Sequence, residues 1–182
     1  MYYLVFDCET TGLVPSCNVL TSYFIILDKE LNIIDELDLN IKYPFYVVFP
    51  KALEVNKINL IDHDKIAISK NEAINTLHNF LKKYKTKFNI IGHNIQFDLD
   101  MLKYNNILTD IDINNYFETK HLDTYLLAKK LKSQNKINKK QSLSLSKLCY
   151  FLDIEINSEL NFHNAKYDSY LTIELYKKLL EL

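Results

Sequence analysis

The sequence predicts one α/β domain built on a mixed sheet, and three observations carry that prediction. Residues 2–42 hold three runs of strand-like apolar pattern. From about residue 70 onward, helical periodicity alternates with one short apolar run. The chain has 182 residues, enough for a single domain and short for two. No internal repeat or low-complexity linker divides it, so residues 1–182 read as a single unit with a five-stranded sheet flanked by helices.

In order, residues 2–9 form the first strand, with Tyr3, Val5, Asp7 and Glu9 on one face and Tyr2, Leu4 and Phe6 on the other. Turn chemistry follows at Thr11-Gly12 and Pro15-Ser16. Strands over 19–28 and 32–42 are joined by the polar Asp28-Lys29-Glu30, as in a hairpin. Pro50 suits the first turn of a short helix running through Val55. Ile74, Leu77, Leu81 and Tyr84 recur at helical spacing, which places a helix over 70–85. Phe88 to Ile91 is the buried strand, ended by Gly92; helices follow over 95–105, 123–132, 143–152 and 165–181. Ser133 to Gln141, rich in lysine and asparagine, is a loop.

Composition narrows the function. With 22 basic and 23 acidic residues the net charge is -1, which excludes a polycation that coats nucleic acid by bulk charge. Every basic residue is lysine, so bidentate guanidinium clamping of phosphate is absent. Cys8, Cys17 and Cys149 are an odd set without paired spacing, which argues against a disulfide framework or a structural zinc site. No signal peptide or membrane-length apolar stretch is present, so a cytoplasmic, reducing setting is expected. The only two glycines, Gly12 and Gly92, are expected where the backbone needs positive φ or close approach.

Three segments carry the chemistry. In Phe6-Asp7-Cys8-Glu9-Thr10-Thr11-Gly12-Leu13, Asp7 and Glu9 lie two apart on a strand, so both carboxylates point to one side. Like charges that close are tolerated mainly when cations sit between them; two solvated acids at a strand end are the plainer alternative. In Gly92-His93-Asn94-Ile95-Gln96-Phe97-Asp98, Asn94 is a candidate N-cap, and Asp98 heads a buried stripe continued by Met101 and Leu102. In His163-Asn164-Ala165-Lys166-Tyr167-Asp168, Asn164 caps a helix, His163 precedes it, and Asp168 begins an inward stripe with Leu171, Leu175 and Leu179. Asp123 reads as a further helix cap that supports the site indirectly.

Taken in this order, FDCETTGL, GHNIQFD and HNAKYD resemble the three motifs of the proofreading-exonuclease superfamily, specifically its DEDDh branch. That branch includes the bacterial polymerase epsilon subunit, ribonuclease T and oligoribonuclease. His163, five residues before Asp168, carries the branch assignment; the sister branch needs tyrosine where this chain has Asn164. The resemblance spans residues 6–168 and implies a ribonuclease H-like fold and metal-dependent 3′→5′ phosphodiester hydrolysis. It implies two divalent cations, Mg²⁺ or Mn²⁺, held by Asp7, Glu9, Asp98 and Asp168, with His163 as general base and substrate neighbour.

The resemblance further implies that Thr10, Thr11, Gly12, Leu13, Asn94 and Phe97 surround the terminal nucleotide, Leu13 as a wedge against the base. The expected partner is nucleic acid with a free 3′ end, DNA ahead of RNA on the form of the first motif, with a polymerase or a second copy of the chain as further partners. Rival readings are an RNA 3′-end trimmer and a non-catalytic binding protein that keeps the fold. Lys166 is a candidate phosphate contact. Lys136, Lys139 and Lys140 read as a solvated loop, His78 as structural, and His63 and His93 have no evident partners.

Overall fold

The structure is a computed structural model that describes residues 1–156 and 162–182. The four main strands form where the sequence pattern places them: β1 (Tyr2–Thr10), β2 (Val19–Leu27), β3 (Ile33–Lys42) and β5 (Phe88–Gly92). Two short strands, β4 (Ile68–Ser69) and β6 (Leu122–Asp123), bring the sheet to six rather than five, in the order β4-β3-β2-β1-β5-β6. Two residues are too few for an alternation to show, which is why the sequence undercounts. β1, β2 and β3 run antiparallel, whereas β5 lies parallel to β1 and β6 parallel to β5.

The helices are α1 (Pro50–Asn56), α2 (Leu60–Ile66), α3 (Lys70–Lys82), α4 (Ile95–Tyr104), α5 (Asp110–Tyr116), α6 (Thr124–Ser133), α7 (Leu145–Phe151) and α8 (Ala165–Leu180). α2 and α5 go beyond the sequence reading, although both starts are written in side chains. Asn59 accepts from the amides of Ile61 and Asp62, and Thr109 forms a reciprocal capping box with Asp112.

Strand alternation divides the core. Leu4, Phe6 and Cys8 face Leu77, Leu99 and Leu102 on one side of the sheet. Val5, Ile25 and Ile91 face Ala165 and Ile173 on the other. α6, α7 and α8 share a third cluster, around Ala128, Leu148 and Leu175. The C-terminal ends of the parallel pair β1 and β5 therefore open between α4 on one face and α8 on the other, which is where a doubly flanked sheet places ligands.

Both glycines sit at close approaches, and neither has positive φ. A Cβ on Gly12 would meet Cys17 Sγ at 2.5 Å and the Phe49 ring at 2.8 Å; one on Gly92 would meet Ile95 Cβ at 2.5 Å. Left-handed backbone falls instead to residues such as Asn94, Asn106, Asn135, Asp153 and His163. Among the described residues no helix is long and apolar enough to cross a membrane.

Candidate active site

The end of β1 presents Asp7 and Glu9 together, while Cys8 between them is buried on the opposite side with its sulfur 3.1 Å from Ser22 Oγ. The Cys8 amide donates to Asp98 Oδ1 at 2.9 Å, which ties the first turn of α4 to the strand. Asp98 is only 4% exposed, and Met101 and Leu102 are buried behind it, as the stripe predicts. On the other face, Asn164 accepts from the Tyr167 amide at 3.1 Å and starts α8. His163 precedes it in left-handed conformation (φ 65), and its amide donates to Asp168 Oδ2 at 3.0 Å. Ligand atoms of Glu9, His163 and Asp168 all lie within 4.8 Å of one another. The structure thus brings the five motif residues to one place.

Bringing the acids together without a cation is unfavourable. Burial pushes Asp7 well above the usual carboxylate range, and the charges of Asp98, Asp168 and Glu9 push it further. Glu9 is raised to about 8 by burial, then by Asp168 and Asp98. Burial likewise raises Asp98 to about 7 and Asp168 to about 6, the latter opposed by the His163 amide. Asp168 Oδ1 is buried with no hydrogen-bond partner. A buried, unpartnered carboxylate oxygen among mutually repelling acids is what a hard divalent cation would satisfy, so these side chains fit a metal centre.

The surrounding residues sort less simply. A cleft of about 1150 Å³ opens over the acids and is lined by Thr10, Gly12, Leu13, Asn94, Phe97 and His163 among others. Leu13 is 79% exposed. Thr11 is a correction: it is fully buried and outside the cleft, because its hydroxyl donates to Val47 O at 2.6 Å and accepts from the Asn18 amide at 2.8 Å. Its amide and carbonyl are also engaged, with Asn18 and Phe49, so Thr11 braces the turn.

Asn94 is corrected in part. It reaches the cleft, but its side chain caps nothing; Asp123 Oδ1 and Oδ2 accept from the Asn94 and Ile95 amides at 3.0 and 3.1 Å. The same carboxylate caps α6 through the amides of Tyr125 and Leu126. Asp123 therefore holds the N-termini of α4 and α6 together, a stronger form of its predicted role.

Three other histidines have hydrogen-bond partners, and of these His93 also lines the cleft. His93 Nδ1 lies 2.9 Å from Thr124 Oγ1, His63 Nε2 3.1 Å from Ile41 O, and His78 Nδ1 3.1 Å from the Tyr116 hydroxyl. Lys166 stands over the Tyr23 ring, 5.2 Å from its centroid, and Lys136 reaches the carbonyl of Leu182; neither lines the cleft. The cleft's lysines are Lys51 and Lys132 among the described residues, and sequence reading missed both, along with Phe49, Asn56 and Tyr125. Asn56 donates to Thr10 O at 3.1 Å and hydrogen-bonds the Glu9 carboxylate. No local signal marks these residues, since only the tertiary fold brings α1 and α6 to the end of β1.

Comparison with known proteins agrees with this fold. The chain matches solved structures over 99% of its length: Escherichia coli exonuclease I with a dT13 oligonucleotide (TM-score 0.78, 21% identity), its zinc-bound form with single-stranded DNA (0.77, 20%) and cell-death related nuclease 4 (0.77, 13%). It covers 41%, 40% and 64% of those chains respectively, so it spans about two fifths of exonuclease I. These likenesses establish the ribonuclease H-like fold. No curated protein sequence matches significantly. A family model described as Exonuclease, RNase_T, matches residues 4–176, and the chain therefore belongs to that exonuclease family.

Proposed function

We propose that the chain is a two-metal 3′→5′ exonuclease that removes nucleoside 5′-monophosphates from single-stranded or frayed ends, with DNA the favoured polymer. The observation that carries this reading is the cluster of four acids whose burial raises their pKa values around an unpartnered Asp168 oxygen. Asp7, Glu9 and Asp168 would hold one cation and Asp98, with Asp7, the other; Mg²⁺ or Mn²⁺ suits these oxygen ligands. When bound, the pair activates a water and stabilises the attacking and leaving oxygens.

The chain's own residues do the rest. His163, exposed beside Glu9 and Asp168, takes the proton of the attacking water and can pass it to solvent. Gly12 lines the cleft in a turn that packs against Cys17 and Phe49 and that Thr11 and Asn18 hold in place for the substrate. Leu13, Phe97 and Asn94 flank the terminal nucleotide. The oligonucleotide complexes of exonuclease I support a single-stranded DNA substrate for this chain.

The test is digestion of 5′-labelled DNA and RNA oligonucleotides with Mg²⁺, Mn²⁺ or EDTA. A ladder shortening from the 3′ end, absent in EDTA and faster on DNA, is the expected result. Faster loss of RNA would reassign the substrate, and intact strands under every condition would overturn the enzyme reading.

A further inference from the structure

The cleft is larger than one nucleotide and two cations require. Its volume of about 1150 Å³ exceeds the roughly 300–1,000 Å³ of ordinary small-ligand sites. Its lining also includes a limb that serves neither the acids nor the Thr10–Leu13 turn: Tyr125 and Lys132 on α6, facing the loop 141–145. Seven residues apart on one helix, the two share a face, two turns and roughly 10.5 Å from each other.

Each is held in place. The Tyr125 ring stands edge-on to His93, with centroids 6.0 Å apart at 89°, and His93 is itself fixed by Thr124. Lys132 is half-buried and donates to Gln141 O at 2.6 Å, which engages one of its three donors. Among the described residues no carboxylate pairs with Lys132, whereas Lys51, the other cleft lysine, lies 3.1 Å from Glu54. An aromatic platform and an uncompensated ammonium along one wall, continuous with the carboxylates, is the pairing that single-stranded nucleic acid calls for.

The geometry points to a second nucleotide subsite, in which Tyr125 stacks on a base upstream of the terminal one and Lys132 binds a neighbouring phosphate. The inference rests on the exonuclease reading and extends it to specificity. A base lying on Tyr125 has left any duplex partner, so the subsite selects single-stranded ends and lengthens the minimal substrate beyond one linkage.

The experiment measures binding of oligothymidylate by Asp7→Asn protein, with 2-aminopurine second from the 3′ end as a stacking probe. Tyr125→Leu, which keeps bulk without a π face, should weaken binding by about 5- to 150-fold and abolish the fluorescence quench. Tyr125→Phe should keep both. Lys132→Met should flatten the log Kd against log salt slope by about 0.7, the value of one phosphate on a single strand, and Lys132→Arg should restore it. Circular dichroism verifies that each variant is folded. Unchanged affinity, quench and slope in folded Tyr125→Leu and Lys132→Met overturn the subsite while leaving the exonuclease reading intact. Wild-type protein that neither binds nor digests any oligonucleotide overturns both.

Discussion

The two sides of the active centre are built by opposite means. Asp7, Glu9 and Asp98 stand on backbone that the core fixes: a central strand, and a helix whose first turn is hydrogen-bonded to it. His163 stands on one left-handed residue in an exposed position, tied by a single amide to Asp168. The acids are therefore placed by the whole fold, against their own repulsion. The histidine is placed locally and opposes nothing. Charge storage and proton transfer should thus be separable by experiment.

The largest separation is expected at Asp7. Asp7→Asn should reduce hydrolysis by on the order of 10⁴-fold or more, as removal of a ligand from a cooperating set does. The same change should raise the melting temperature of the metal-free protein at pH 8, because one buried repelling charge is gone. The pH dependence follows from Glu9 at about 8, Asp98 at about 7 and Asp168 at about 6. Unfolded carboxyls titrate near ~4, so between about pH 4 and 8 the folded state binds more protons than the unfolded one. Stability from these groups is fully present below the unfolded values and is lost as pH rises through the folded ones. Calorimetry in EDTA should therefore show a melting temperature that falls from pH 5 to pH 8, and the rise on adding Mn²⁺ should grow over the same range. A flat profile would break the contrast.

At His163 the expected pattern reverses. His163→Asn, chosen because asparagine tolerates left-handed backbone, should lower kcat by about 10²–10³-fold. Stability should change by no more than about 0.5 kcal/mol, as for an exposed position. The Mn²⁺-induced rise in melting temperature should persist. Its loss would make His163 a ligand in place of a base and erase the distinction between the two sides.

Where the sequence was legible, one period or one cap carried the information. The long strands, the inward stripes behind Asp98 and Asp168, and the Asn164 cap are local patterns, and the structure reproduces them. The convergence of the four acids and the histidine was legible because three short segments carry the residue types and order of the motifs they resemble. Thr11 was misplaced because a threonine in a turn looks the same whether its hydroxyl meets substrate or Val47 O. Asn94 was misread as a cap because the true cap, Asp123, lies 29 residues away. Tyr125 and Lys132 were missed for the related reason that helical position says nothing about which cleft a helix borders.

Asp123 gives the smallest expected effect and the finest test of the contrast, since its hydrogen bonds to the acid side are all to backbone, beside the upward push its charge gives Asp98. Its carboxylate receives four amides from two helices: Asn94, Ile95, Tyr125 and Leu126. Asp123→Ala removes two caps at once and should destabilise the protein by about 1–4 kcal/mol, at 0.5–2 for each cap. Asp123→Asn retains one acceptor oxygen, so it should keep the α6 cap and lose the Ile95 bond at the start of α4, for about half that loss. Activity should fall about 10–100-fold in the alanine protein, the usual consequence of loosening the support of a metal ligand, because Asp98 rides on α4. Urea denaturation alongside initial rates checks both effects. If the alanine protein loses stability but keeps full activity, the Cys8 amide alone holds Asp98, and the acid side is fixed by the strand without help from the helix ends.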